Sequence, residues 1–188
     1  MKHLKLQVHN NIPQGYEITI SFWGANHKPN QKVLPVNRWQ TKIKLDISFS
    51  ETLVLSPEKK KILHPYSDFE IIKSIVPAYP LDEVVAEKLR SLMQRNRPRD
   101  IYDLYFLRFK IKMHNYEKIH KLLLKKSQNK NINCCNYADF INHSKYINNK
   151  RAWESSLNHH LPRGMLVNYD TAYSIVGQFV QNILNQKK

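Results

Sequence analysis

Apolar and polar residues alternate strictly in two stretches of the N-terminal third of the chain. Residues 16–23, Tyr-Glu-Ile-Thr-Ile-Ser-Phe-Trp, and residues 42–49, Lys-Ile-Lys-Leu-Asp-Ile-Ser-Phe, place β-favouring side chains at every second position, the pattern of half-buried strands. The polar stretch between them carries Gly24, Pro29 and Pro35 and is too long for a tight hairpin turn. Short strands are expected at 53–55 and 71–76. Two strands alone are marginal in water, so a sheet this small beginning at Met1 leads to the expectation that part of it lies upstream. From residue 81 the period changes. Leu81, Val84, Val85, Leu89, Leu92 and Met93 recur at helical spacing, after Pro80 and before the stop Asn96-Arg97-Pro98. Pro98 suits a first helical turn. The next helix, from about 99 to 113, carries Ile101, Tyr102, Leu104, Tyr105, Phe106, Leu107 and Phe109, and a helix apolar on most sides is expected to be buried. Further helices are expected at 116–126, 136–146, 149–158 and 169–186. The layout is α+β: a small mixed or antiparallel sheet over residues 1–79, then a helical lobe over residues 80–188.

Composition excludes several classes. The 188 residues are 41% hydrophobic with only four glycines, which is globular rather than disordered. No apolar run reaches the ~20 residues of a membrane span. Met1–Asn10 lacks the apolar centre of a secretory signal, so a cytoplasmic location is expected. Cys134 and Cys135 are adjacent and have no other thiol to join. They cannot staple distant segments, and metal sites space their ligands more widely, so they are read as reduced thiols. The formal net charge is +15. A field of that sign favours nucleic acid, nucleotide or another polyanion, although a Lys-, Asn- and Ile-rich composition produces the same charge without any ligand.

Two charges stand where the pattern expects apolar residues, and two further acids compare with them. Lys88 lies four and three positions after Val84 and Val85 and four before Leu92, on the face these residues bury. Its ammonium either snorkels to solvent on its four-carbon stem or meets an anion such as phosphate. Asp103 sits among Tyr102, Leu104, Phe106 and Leu107, where a buried carboxylate needs a cation. A short turn joins the two helices, so Lys88 and Asp103 can meet as a structural ion pair or as a catalytic one. Asp100 beside Arg99 is weaker, because an acid in a helix's first turn is ordinary dipole stabilisation. Asp46 interrupts Ile43-Lys44-Leu45-Asp46-Ile47, on the face of Lys44 and Ser48. It is either a solvent-facing acid or a metal ligand on an open sheet face.

These same residues resemble the AbiEii-type nucleotidyltransferase toxin family. Tyr79 to Leu92, containing Ala86-Glu87-Lys88, is similar to the family's Ala-Glu-Lys helix. Arg95 to Leu107, containing Arg99-Asp100-Ile101-Tyr102-Asp103-Leu104, is similar to its Arg-Asp-x-x-Asp-Leu helix. Lys44-Leu45-Asp46-Ile47-Ser48 resembles the strand that carries a third carboxylate in the polymerase-β-like nucleotidyltransferase fold. Trp153, Leu157, Leu161-Pro162 and the last helix resemble the family's tail. The likeness spans residues 16–186 and is strongest over 79–107.

The resemblance implies transfer of a nucleotidyl group from a nucleoside triphosphate, with divalent metal such as Mg2+, to an acceptor that in some members is a tRNA. It also implies an antitoxin partner, often a DNA-binding repressor. Lys88, Arg99 and Asp100 would bind the nucleotide, Lys88 and Asp103 would carry catalysis, and Asp46 would hold metal or the attacking hydroxyl. Arg90, Arg95, Arg97 and Arg99 surround the turn between the motif helices and would steer RNA, with Lys118, Lys121, Lys125, Lys126 and Lys130 on the third helix and its loop. The family's opening Gly-Ser or Gly-Gly-Thr and its Asp-x-Asp strand are not found. The chain alone is therefore expected to be inactive: the back part of a split or truncated gene whose N-terminal half is separately encoded, or a non-catalytic basic remnant that binds RNA or a protein partner.

Overall fold

Alternation begins earlier than residue 16. In the computed structural model, which describes residues 2–23, 30–49, 51–63, 70–71, 74–133 and 136–186, a strand β1 (Lys2–His9) precedes β2 (Ile12–Phe22) and β3 (Thr41–Ser48). Leu4, Leu6 and Val8 are its period-2 signal, passed over in the sequence. Asn10 and Asn11, with φ of 49° and 62°, form the two-residue turn that pairs His9 with Ile12. Primed turns need such angles, and asparagine tolerates them.

The three strands form an antiparallel sheet in the order β1-β2-β3, within a first compact unit, Met1–Thr52. Its register aligns Leu4, Ile18 and Leu45 in one row and Leu6, Tyr16 and Ile47 in another, giving one apolar face. Lys5, Glu17 and Asp46 align on the other face. Gln7 pairs with Gly15 and Val8 with Pro13, so Gln14 is an extra, bulged residue. Pro13 lies beyond the end of β3, where β2 lacks one neighbour and a missing N–H costs little. At Gly15 an added Cβ would lie 2.0 Å from the Ile47 carbonyl oxygen, so only glycine allows this approach.

The second compact unit, Leu53–Lys188, holds a two-stranded antiparallel sheet of β4 (Glu58–Lys61) and β5 (Ile75–Ala78). β5 overlaps the end of the strand expected at 71–76, of which residues 72 and 73 lie outside the described residues, whereas residues 53–55 form no strand. Glu-Lys-Lys-Lys has no hydrophobic period, and all four of its residues are exposed. The helices are α1 (Leu81–Arg95), α2 (Pro98–Arg108), α3 (Tyr116–Gln128), α4 (Tyr137–Phe140), α5 (His143–Leu157) and α6 (Tyr169–Leu184). The break expected near residues 147–148 falls instead at Ile141–Asn142, where Asn142 caps α5 by accepting from the Lys145 backbone N–H at 2.9 Å. None of the described helices is long and apolar enough to cross a membrane.

α1 packs against α3, and α2 against α6 and α5, around Leu89, Leu92, Ile101, Leu104, Ile119, Leu123 and Phe179. The aromatic helix α2 is not buried all round, as its sequence suggested: Phe109 is 63% exposed and Phe106 36%. Apolar residues exceed the available core here, and the surplus rings meet edge to face, Tyr105 with Phe106 at 5.0 Å and with Phe109 at 5.3 Å.

A buried charge cluster joins α1 to its surroundings. Glu83, fully buried, accepts hydrogen bonds from the Val54 and Leu55 backbone N–H groups at 2.8 and 2.9 Å. Lys126 from α3, also buried, stands 3.1 Å from it. This explains why residues 53–55 are not a strand. Burial works to raise the Glu83 carboxyl, but the two N–H donors and Lys126 outweigh it and hold the group below its ordinary value. Its folded-state stabilisation is therefore present above the ordinary glutamate range, near 4.5, and is lost as pH falls through the lowered value. Removing one member leaves the other charge buried and unpaired. Glu83→Gln should lower the unfolding free energy by about 3 kcal/mol and flatten the acid limb of stability against pH, as measured by urea titration from pH 7 to pH 3.

Candidate functional site

The turn between α1 and α2 brings the expected charges together. Asn96, in the left-handed region at φ 46°, ends α1, and Arg97 leads into Pro98 at the first position of α2. α5 braces this turn. The Lys145 ammonium donates to the carbonyls of Leu92 at 3.3 Å and Met93 at 2.9 Å, and to that of Asp139. The Asn149 amide donates to Asn96 Oδ1 at 2.6 Å. A lysine thus caps the carbonyl end of α1 from another helix. Burial lowers its pKa, against the raising effect of Asp139.

Within this frame Lys88 Nζ donates to Asp103 Oδ2 and lies 3.7 Å from Asp100 Oδ1. Arg95 grips Asp100 with two hydrogen bonds, Nε to Oδ2 at 2.9 Å and Nη2 to Oδ1 at 2.8 Å. The burial of the two carboxylates is the reverse of that expected. Asp100 is fully buried, whereas the Asp103 side chain is 38% exposed. The reason is the rotation of α2: Asp100, Ile101 and Leu104 face the core, and Asp103 faces its edge. Asp100 is therefore far more than a first-turn acid; it is the buried anion that holds Lys88 and Arg95.

A cavity of about 390 Å³ opens beside Lys88 and Asp103. Val84, Leu107 and Met165 line it together with the rings of Tyr102 and Phe106, whose centroids are 4.8 Å apart. The Tyr102 hydroxyl donates to the Met165 carbonyl at 3.2 Å. Burial and then the Asp103 carboxylate raise the Tyr102 pKa, so the phenol stays neutral. The arrangement can take a flat, partly apolar molecule with an anionic group. Lys88 can exchange the half-buried Asp103 for that anion while Asp100 retains it.

The other expected residues are distributed differently. Arg90 is buried and binds Glu87 and Gln94, so it is not on an exposed rim. Arg95 is committed to Asp100. Arg97 and Arg99 are exposed and carry no ion pair among the described residues. On α3, Lys118 binds Asp82, Lys121 binds Glu117, and Lys126 is buried against Glu83 rather than presented to solvent. Asp46 belongs to the first unit, where Gln7 Nε2 donates to it at 3.4 Å. Cys134 and Cys135 lie outside the described residues. Sequence reasoning missed Glu83, Lys145 and Asn149, whose partners are remote in the chain. It also passed over an Asp-x-Glu, Asp68-Phe69-Glu70, of which Asp68 and Phe69 lie outside the described residues.

The donor set does not fit a divalent ion. Among the described residues no three His, Cys, Asp or Glu side chains converge. Asp100 and Asp103 are already neutralised by Lys88 and Arg95, and Asp46 contributes one carboxylate where a hard cation takes about six oxygens.

The model of the family described as nucleotidyl transferase AbiEii toxin, type IV TA system, matches residues 8–173. No curated protein and no solved structure matches the chain.

Asp100 and Asp103 should differ sharply on substitution. Asp100→Asn leaves Lys88 and Arg95 without their buried anion and should cost about 3 kcal/mol of stability. Asp103→Asn removes a half-buried pair that solvent still reaches, leaves Lys88 its second anion in Asp100, and should cost less, about 1 kcal/mol. Chemical denaturation of the two variants checks this, and equal losses would contradict the assigned burial.

Proposed function

The chain belongs to the AbiEii nucleotidyl transferase toxin family of type IV toxin–antitoxin systems, and from that premise we propose that it serves transfer of a nucleoside monophosphate from a nucleoside triphosphate to an acceptor RNA such as tRNA. The observation that supports this best is the Lys88–Asp103 pair at the side of an apolar cavity. The base and ribose enter against Tyr102 and Phe106. Lys88 leaves Asp103 for the phosphates, whose charge it offsets as the transition state forms. Asp100 keeps Lys88 in place. The freed Asp103 carboxylate accepts the proton of the acceptor hydroxyl. That oxygen bonds to the α-phosphorus, the bond from the α-phosphorus to the bridging oxygen breaks, and pyrophosphate leaves.

The family generally uses a divalent metal, Mg2+ in the reading adopted here, and the described donors do not fit one. No step is therefore routed through it. Further donors must come from outside the described residues or from another chain, such as a separately encoded N-terminal half. The family implies a cognate antitoxin, and we assign it to the repressor type. A non-catalytic RNA-binding role is the second reading, favoured by the internal neutralisation of Lys88.

Two measurements separate these readings. Equilibrium dialysis with each labelled triphosphate should give saturable binding that Lys88→Gln weakens at least about tenfold, the loss of one charged phosphate contact. Equal binding by wild type and variant removes the nucleotide site and leaves the second reading. In a transfer assay with total tRNA and Mg2+ or Mn2+, the chain alone should give no labelled product. A segment bearing Gly-Ser and Asp-x-Asp, added in trans, should restore labelling that Asp103→Asn abolishes. Asp103-dependent labelling by the chain alone would show that its own donors suffice.

A further inference from the structure

A second cavity, of about 440 Å³, is lined by Arg97 and Arg99 at the start of α2 and by Ser155, Ser156, His159 and His160 at the end of α5. It shares no lining residue with the cavity at Lys88. Its composition is one-sided: two guanidiniums, two imidazoles, two hydroxyls and no carboxylate.

Several cations of α1 and α5 are neutralised or hydrogen-bonded within this unit. Arg95 holds Asp100, Lys88 holds Asp103, Lys150 holds Asp170, and Lys145 caps α1. Arg97, Arg99, His159 and His160 have no such partner among the described residues, and all four are exposed. Folding itself therefore does not account for these four side chains. The walls are nonetheless held firmly. Asn149 of α5 binds Asn96 at 2.6 Å, Trp153 of α5 packs on Tyr102 of α2 with ring centroids 6.3 Å apart, and Pro98 restricts the backbone of Arg97. Like charges held together without a counter-ion repel, and a bound anion converts that cost into attraction. Forked guanidiniums with hydroxyl and imidazole donors suit tetrahedral phosphate oxygens.

We infer that this cavity binds a backbone phosphodiester of the acceptor RNA, separately from the triphosphate at Lys88. The choice of RNA rests on the proposed transfer reaction; the anion site rests on the cavity alone. Arg99 and Asp103 are four residues apart on α2, so they share a helix face with a rise of roughly 6 Å between them. A strand whose terminal hydroxyl reaches Asp103 thus runs past Arg99 into the cavity.

The test uses the full chain with histidines isotopically labelled. On titration with inorganic phosphate, and then with tRNA, the ring signals of His159 and His160 should shift saturably. In parallel, tRNA affinity should fall at least about tenfold in Arg97→Gln/Arg99→Gln, with the salt slope shallower by about two, and about threefold in His159→Gln/His160→Gln. Circular dichroism melts check that both variants fold. Wild-type affinity and slope in both variants would overturn the site. So would ring signals that ignore phosphate and tRNA yet respond to poly-L-glutamate, which would assign the cavity to an acidic protein partner. A Lys88→Gln variant that keeps full triphosphate binding while the arginine and histidine variants lose tRNA would sink the catalytic reading and leave this site standing.

Discussion

A carboxylate with no water around it, Asp100, sets the geometry on which the candidate site depends. An uncompensated buried charge costs several kcal/mol, so the chain brings two cations of α1 to it, Arg95 by two hydrogen bonds and Lys88 at 3.7 Å. Those contacts fix how α2 leaves the Asn96–Arg97 turn. They also place Lys88 within reach of Asp103 and at the side of the apolar cavity. The same constraint acts at the other end of α1, where fully buried Glu83 draws in two backbone N–H groups and Lys126. One helix is thus held at both ends by anions that water cannot solvate.

This allocation of charge changes the meaning of the basic composition. A formal excess of +15 suggests a surface uniformly attractive to polyanions. Much of the cationic inventory around α1, α2 and α3 is instead internal: Lys126 and Arg90 are buried, Lys145 caps a helix, and Lys118 binds Asp82. Arg97 and Arg99, where α2 begins, carry no ion pair among the described residues. Fewer cations are therefore open to an external anion than the formal charge suggests.

Lys88 and Asp103 were legible because helical spacing is local: a charge at positions three and four from valines and leucines marks itself. Asp100 was undervalued because an acid in a first turn has an ordinary explanation, and nothing nearby in sequence shows that α6 and α5 cover that face of α2. The exposed rings of Phe106 and Phe109 show the converse, since apolarity alone does not say how much partner surface exists to cover a helix. β1 carried a readable alternation and a turn signal in Asn10-Asn11 that were overlooked. β4 was not legible, because Glu-Lys-Lys-Lys has no strand pattern and exists as a strand through its pairing with β5.

By itself the sequence determined the α+β class, the change of period at residue 81, the helix boundaries marked by Pro80 and Pro98, and the two motifs that identify the family. All of these follow from interactions within a few residues, where backbone geometry links spacing directly to a face or a cap. Tertiary structure alone decided which carboxylate is dry, which lysines are internal and which arginines remain free. Glu83 meets Lys126 from another helix, Lys145 reaches Leu92 across 53 positions, and Asn149 reaches Asn96 across the same separation. Desolvation and pairing energies depend on what packs within a few ångströms, and no local pattern carries that information.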